Sequence, residues 1–250
     1  MKVYENIERA MFIKPLKVKA IYFDLDNTLV DRRASIDRFA EVFVHHFERQ
    51  LNQANAEVIA ERIQQIDCGG YLPSGSGYKK ISQAIAGELY RWLDWVVPIS
   101  ETQLEAFWRE QFLQCTVVMS GALETLTRLT ERGFHLGIIS NGSLDSREKT
   151  VAATPFSNFI QQLVSSGQFG QKKPHPEIFL STLEAAGFKP SQCLYVGDHP
   201  VNDIQGALSA GLHAVWLKGF HEKKNLPKGA ISIESLPEIL NLVCASHYSR

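Results

Sequence analysis

Two aspartates follow an apolar run near the start of the chain, in the order Asp24-Leu-Asp-Asn-Thr28. The run from Ile21 to Phe23 is typical of a buried strand, so it would deliver both carboxylates at its C-terminal end. Removing two carboxylates from water together is costly unless a cation or hydrogen-bond donors compensate. The stretch therefore indicates metal binding or acid–base chemistry, although an Asp/Asn-rich turn after a strand would have the same form.

Three later strand-like segments are also followed by polar side chains. The groups are Ser140 and Asn141 after Phe134 to Ile139, Lys173 beyond Phe159 to Val164, and Asp198 with Asp203 after Cys193 to Val196. The carboxyl ends of parallel strands share one edge of a sheet, and ligands bind outside that edge. Groups more than 170 residues apart in sequence are therefore expected to converge.

The elements that must position these groups alternate regularly from Gly121 onward. Helices are predicted at 122–131, 144–153, 176–186 and 203–210, with strands at 134–139, 159–164, 193–196 and 213–217; a first strand is predicted at 18–23. Repeated strand–helix units predict an α/β fold with a parallel sheet covered by helices on both faces.

Residues 32–115 interrupt this alternation with a helical insertion. Apolar residues from Ile36 to Phe47 mark one helix face, further helices are predicted at 54–66 and 80–93, and Ser100 to Gln103 has the form of a capping box. The Gly- and Ser-rich loop 67–78 could cradle a phosphate, but it fits no P-loop spacing and is expected to be a flexible loop. The predicted organisation is an N-terminal extension at 1–17, a core formed by 18–31 and 116–250, and a helical subdomain at 32–115.

Composition excludes several classes of partner. The chain has 26 basic and 27 acidic side chains among 250 residues, so no net field favours nucleic acid or an anionic membrane. No window approaches the ~20 apolar residues needed to cross a bilayer. Four widely spaced cysteines are expected to be buried reduced thiols, and a cytoplasmic location is the expectation.

The four motifs together resemble the haloacid dehalogenase superfamily of phosphohydrolases. The resemblance rests on Asp-x-Asp-x-Thr at 24–28, Ser-Asn at 140–141, Lys-Pro at 173–174 and Gly-Asp-x-x-x-x-Asp at 197–203, and it covers about residues 18–220. It implies a Rossmann-like, doubly wound parallel sheet with an inserted helical cap. It also implies an Mg²⁺-dependent phosphohydrolase that acts on a small soluble phosphate monoester through an aspartyl-phosphate.

The resemblance implies the reacting groups. Asp24 would attack phosphorus and bind Mg²⁺, Asp198 would be a second side-chain ligand, and Asp26 would add its backbone carbonyl. The side chain of Asp26 would protonate the leaving alkoxide and then deprotonate the hydrolytic water. Lys173 would balance the charge on the nucleophile and phosphate; it is chosen over Lys172 because the family's lysine commonly stands directly before the proline.

The remaining implied roles concern phosphate binding and support. Thr28, Ser140 and Asn141 would bind phosphate, although Thr28 and Ser140 could instead cap the turns that follow them. Asp203 would be an acceptor behind the ligands, acting through Lys173 or metal-bound water.

Several alternatives stay open at this point. A 2-haloacid dehalogenase is disfavoured by Asp26, because those enzymes generally lack an acid there; a phosphomutase on the same fold or a non-catalytic binding module is also possible. The cap would close on hinges near 31–33 and 118–120. Asp67, Lys79 and Lys80 are its candidate substrate readers, but solvated surface is the favoured expectation for these three residues. The sequence does not identify the ester, the oligomeric state or a role for His199, which could line the pocket or lie in a solvated loop.

Overall fold

The computed structural model describes residues 15–72, 75–221 and 226–245. Its strands are β1 (Leu16–Val18), β2 (Ala20–Phe23), β3 (His135–Ser140), β4 (Gln162–Ser165), β5 (Cys193–Gly197), β6 (His213–Leu217), β7 (Ile231–Ile233) and β8 (Val243–Ala245). Six of them form one parallel sheet in the order β4-β3-β2-β5-β6-β7, while β1 pairs in parallel with β8 in a second sheet. The predicted parallel α/β fold is confirmed.

The strand order places a switch point between β2 and β5. From β2 the chain proceeds outward to β3 and β4, then returns to β5 beside β2 and proceeds outward to β6 and β7. In open parallel sheets the ligand crevice lies at the carboxyl ends of the strands at such a point. Asp24 follows β2 and Asp198 follows β5, so both stand at this crevice.

Helices flank the sheet and build the insertion. They are α1 (Arg32–Phe47), α2 (Ala56–Asp67), α3 (Ile81–Trp92), α4 (Glu101–Gln114), α5 (Ala122–Glu131), α6 (Leu144–Ala152), α7 (Ser166–Phe169), α8 (Pro176–Ala185), α9 (Gly206–Ser209) and α10 (Ile239–Leu242). The chain divides into two compact units, one of residues up to Leu29 and from Val118 onward, the other Val30–Val117.

The Val30–Val117 unit consists of α1 to α4 around an aromatic core. Phe39, Phe43 and Phe47 on α1 pack against Trp108 and other apolar residues, as the helical spacing of these phenylalanines predicts. Both halves of the Ser100–Gln103 capping box form at the start of α4. Trp92 on α3, by contrast, is 40% exposed.

Four predictions about local structure and burial need correction. The strand predicted at 18–23 is two strands, because Val18 belongs to β1 and pairs with β8. The helix predicted at 203–210 is a π-helical turn, Pro200–Gln205, that continues into α9. Asp67 is buried in an ion pair with Arg32 rather than being exposed, and Cys68 is exposed rather than buried.

All four cysteines are free thiols. In the part of the chain that the structure describes, no helix combines the length and the apolarity that a bilayer crossing requires. Residues 1–14 of the N-terminal extension predicted at 1–17 lie outside the described residues.

Candidate active site

Asp24 and Asp198 stand side by side because β2 and β5 are neighbours in register. Phe23 pairs with Val196, and the backbone N–H of Asp24 donates to the Val196 carbonyl at 2.9 Å, which carries the ladder one residue beyond β2. Asp198 is anchored from the other side, where Trp216 Nε1 donates to its backbone oxygen at 2.6 Å. Both carboxylates are buried at the carboxyl edge of the sheet.

Lys173 is the central cation of the site. Its Nζ donates to Asp24 Oδ1 at 2.7 Å, to Asp203 Oδ1 at 2.6 Å and to the Tyr195 hydroxyl at 2.7 Å, and the residue is only 1% exposed. Three donors on an ammonium meet three oxygens, so its hydrogen-bonding capacity is filled. Burial lowers the pKa of Lys173, but Asp203 and Asp24 outweigh it and raise that pKa, so the lysine is charged.

Asp203 uses both of its oxygens inside the protein. Oδ1 accepts from Lys173, and Oδ2 accepts the backbone N–H of His199 at 2.9 Å. The turn that carries Asp203 packs so closely on β5 that a Cβ on Gly197 would lie 2.4 Å from Asp203 Cγ. Gly197 is therefore required for Asp203 to reach this position.

The site holds more negative than positive charge. Carboxylate oxygens of Asp24, Asp198 and Asp203 lie within 4.8 Å of one another, with Lys173 as the cation in contact with two of them. Burial raises the pKa of Asp24, and Lys173 counteracts this only in part. Burial raises the pKa of Asp198 to about 7. Among the described residues, Asp198 Oδ2 has no hydrogen-bond partner.

These features fit a divalent metal ion. Hard carboxylate oxygens are the ligands that Mg²⁺ takes, and a bound cation would remove the excess negative charge. Asp24 and Asp198 have the chemistry of ligands, whereas the oxygens of Asp203 are already committed to Lys173 and His199.

Asp26 lies beside a guanidinium that the sequence prediction missed. Arg147 Nη1 donates to Asp26 Oδ2 at 2.6 Å, while Nε and Nη2 donate to the Asn141 carbonyl at 3.0 and 2.6 Å. The Asn141 side chain in turn clasps the Lys173 backbone, accepting from Lys173 N at 2.9 Å and donating to Lys173 O at 3.2 Å. Asn27 has φ +57° and turns the chain directly after Asp26.

The two predicted phosphate-binding hydroxyls are buried at the same edge. Ser140 is the last residue of β3, and Thr28 lies in the turn after Asp26. The hydroxyl oxygen of Thr28 is closed off from solvent and has no hydrogen-bond partner among the described residues. The structure thus brings the predicted residues to one edge, while phosphate contacts by Thr28, Ser140 and Asn141 stay predictions.

Sequence reasoning missed three residues of this edge, namely Tyr195, Arg147 and His221. Tyr195 lies in the apolar strand β5. A buried tyrosine hydroxyl needs a hydrogen-bond partner, and this need was the signal in the sequence that could have drawn attention to it. The Tyr195 hydroxyl donates to the Ile139 carbonyl at 2.7 Å. His221 Nε2 lies 3.1 Å from Asp198 Oδ2, out of hydrogen-bond alignment, and no local pattern marked it. His199 accepts two backbone N–H groups on Nδ1, at 3.1 Å each, and so caps the turn before Asp203.

Comparison with known proteins identifies a family of hydrolases that this chain resembles. The sequence profile of the haloacid dehalogenase-like hydrolases matches residues 18–211. Glyceraldehyde 3-phosphate phosphatase of Pyrococcus furiosus is 30% identical over 213 residues, which are 81% of each chain. N-acylneuraminate-9-phosphatase of Mus musculus is 28% identical over 214 residues, covering 80% of this chain and 83% of the relative.

A solved structure shares the fold. The putative hydrolase YfnB of Bacillus subtilis, solved with bound magnesium, superposes with a TM-score of 0.68 at 20% identity. The similarity covers 91% of this chain and 99% of that one.

Proposed function

Since the chain belongs to the haloacid dehalogenase-like hydrolases, in their phosphatase group, we propose that it hydrolyses a small phosphate monoester with Mg²⁺ through a phosphoryl-Asp24 intermediate. One observation carries the proposal. Lys173 Nζ donates to both Asp24 and Asp203 inside a buried cluster that also contains Asp198. A buried carboxylate held beside a cation and a metal-type oxygen set suits an anionic substrate that must be neutralised and aligned.

Mg²⁺ would be held by the side chains of Asp24 and Asp198, with the Asp26 carbonyl as the further ligand that the resemblance implies. When bound, the ion supplies positive charge that neutralises the phosphoryl oxygens. The raised pKa values of Asp24 and Asp198 support this assignment, because burial penalises both carboxylates and their cationic neighbours Lys173 and His221 offset that penalty only in part.

The reaction divides between the two motif aspartates. A carboxylate oxygen of Asp24 forms a bond to phosphorus as the bond from phosphorus to the ester oxygen breaks, and Asp26 gives its proton to the departing alkoxide. A water molecule then attacks phosphorus, Asp26 takes its proton, and the phosphorus–Asp24 bond breaks. The net products are an alcohol and phosphate, and both aspartates return to their starting states.

Lys173 and its partners hold this apparatus in place. The ammonium favours the ionised form of Asp24 and orients its carboxylate, and it lies where it can also balance charge on a bound phosphoryl group. Asp203 anchors Lys173 from behind, and Asn141 fixes the lysine's backbone through two hydrogen bonds. In this proposal the main role of the Asn141 side chain is to hold the loop that carries Lys173.

The substrate is a small soluble phosphate ester. The names of the relatives denote phosphatases of glyceraldehyde 3-phosphate and N-acylneuraminate 9-phosphate, both of them small carbohydrate-like esters. Thr28 and Ser140 are the proposed phosphate-contacting hydroxyls. The role of Val30–Val117 as a substrate-selecting cap stays a prediction. The four free thiols agree with the predicted cytoplasmic location.

The test is phosphate release from p-nitrophenyl phosphate and a panel of small phosphate esters, with Mg²⁺ or with EDTA. Asp24→Asn is compared with Asp145→Asn, which removes an exposed carboxylate paired with Lys149 on the surface of α6. We expect release that requires Mg²⁺, that Asp24→Asn abolishes and that Asp145→Asn retains. Rapid acid quenching of the wild type should trap one phosphoryl group on Asp24.

Three results would contradict the proposal. Turnover by Asp24→Asn would refute the covalent mechanism, and equal turnover in Mg²⁺ and EDTA would refute the metal assignment. Absence of release from every ester, from wild-type protein that is folded by circular dichroism, would refute the hydrolase activity itself.

A further inference from the structure

We propose that Arg147 is a positioning residue for Asp26, holding its carboxyl group in the orientation from which it protonates the leaving group. The inference rests on the proposed function, because it takes Asp26 as the acid in phosphoryl transfer. None of the four motifs includes Arg147, which reaches the site from the first turn of α6.

The guanidinium is fixed by a fork of hydrogen bonds. Nε and Nη2 both donate to the Asn141 carbonyl, at 3.0 and 2.6 Å, and this pair sets the plane of the group. Nη1 then donates to Asp26 Oδ2 at 2.6 Å. Arg147 and Asp26 are each 13% exposed, so the contact is largely shielded from water. A planar group held at two nitrogens presents its third in one direction.

Gly142 leaves the space that the guanidinium occupies. A Cβ on Gly142 would lie 2.7 Å from both Nε and Nη2 of Arg147, so the guanidinium would have to leave its observed position if residue 142 carried a side chain. Gly142 also has φ +135°, a conformation that residues with a Cβ avoid. The backbone after β3 is therefore shaped to receive this side chain, which an incidental surface ion pair would not need.

The contact connects the two halves of the catalytic edge. Asp26 stands in the turn after β2, and Asn141 follows β3 and clasps the Lys173 backbone. Arg147 bridges these two turns, and it thereby fixes the position of the Asp26 carboxyl group relative to the loop that carries Lys173. Catalytic groups must be placed to well within 1 Å, and a displacement of that size costs up to about 100-fold in rate.

The inference makes a prediction about leaving groups. Proton donation matters most when the departing oxygen is a poor leaving group, as in an alkyl ester, and least when it is p-nitrophenolate. Misplacing Asp26 should therefore lower kcat/KM for alkyl phosphates much more than for p-nitrophenyl phosphate. Loss of a substrate-binding arginine would instead raise KM for both.

The experiment compares Arg147→Gln and Arg147→Lys with the wild type, in Mg²⁺, on p-nitrophenyl phosphate and on the best alkyl ester of the panel. Lys149→Gln is the matched control, because it removes a cation from the same helix that is 56% exposed and pairs only with Asp145 in the described structure. Asp24→Asn is included as the reference for the proposed function. Urea unfolding of each variant separates misfolding from loss of positioning.

For Arg147→Gln we expect kcat/KM to fall roughly 10- to 100-fold on the alkyl ester and less than about 3-fold on p-nitrophenyl phosphate, through kcat with KM little changed. Arg147→Lys should restore part of the alkyl activity, and Lys149→Gln should match the wild type. Equal losses on both esters, a change confined to KM, or no difference from Lys149→Gln would each overturn the inference. An inactive wild type, or an active Asp24→Asn, would instead overturn the proposed function.

Discussion

The buried Lys173 allows a sharp test, because its neighbour Lys172 is an exposed residue of the same type. Lys173→Met keeps the apolar stem and removes the ammonium, whereas Lys172→Met makes the same change at the surface. In Lys173→Met the carboxylates of Asp24 and Asp203 lose the cation that lies 2.7 and 2.6 Å away, and the Tyr195 hydroxyl loses a donor.

Removing one partner of a buried ion pair costs about 3–5 kcal/mol, because the remaining charge stays buried without compensation. An exposed substitution changes stability by about 0.5 kcal/mol or less. With a urea m-value of about 3 kcal/mol/M, Lys173→Met should lower the unfolding midpoint by about 1 to 1.7 M, and Lys172→Met by less than about 0.2 M. Turnover should fall at least about 100-fold in Lys173→Met alone.

The pH dependence adds an internal check. Without the ammonium, nothing at that position offsets the burial that raises the pKa of Asp24, so the folded state binds more protons than the unfolded state. Stability of Lys173→Met in EDTA should therefore rise relative to Lys172→Met as the pH falls from about 8 to about 5. A stability difference below about 1 kcal/mol at pH 8, or one that does not shrink at pH 5, would refute the buried-charge reasoning.

Three further predictions concern the same cluster. The pKa of Asp198 is raised to about 7, so the folded apoprotein binds an extra proton between about pH 4 and pH 7. The free energy of unfolding, measured in EDTA, should therefore fall by up to about 4 kcal/mol as the pH rises through that window. Mg²⁺ at about 100 times its Kd should restore about 2.7 kcal/mol at pH 8 in a thermal or urea titration, and a stabilisation that persists in Asp198→Asn would count against this ligand. Gly197→Ala should destabilise the protein by about 1–3 kcal/mol and impair turnover, because the new Cβ meets Asp203; wild-type stability by urea unfolding would show that the turn can shift.

Sequence alone placed the proposed catalytic groups at strand ends. Apolar runs that stop at Asp24, Ser140 and Asp198 mark strands by their local pattern, and the parallel fold follows from their alternation with helices. The Ser100 capping box was equally readable, because its hydrogen bonds join residues three apart in sequence. Such features depend on residues that are close together along the chain, so the sequence is sufficient to predict them.

Tertiary structure alone decided which groups touch. Lys173 meets Asp24 across 149 residues and Arg147 meets Asp26 across 121, and no local pattern encodes either pair. A contact between distant residues also explains why the strand predicted at 18–23 is divided at Lys19, since Val18 pairs with β8 near the other end of the chain. Contacts of this range depend on strand order and on how helices pack against the sheet. The sequence therefore predicts the types of residue at this edge, while packing of the whole core sets their distances, partners and burial.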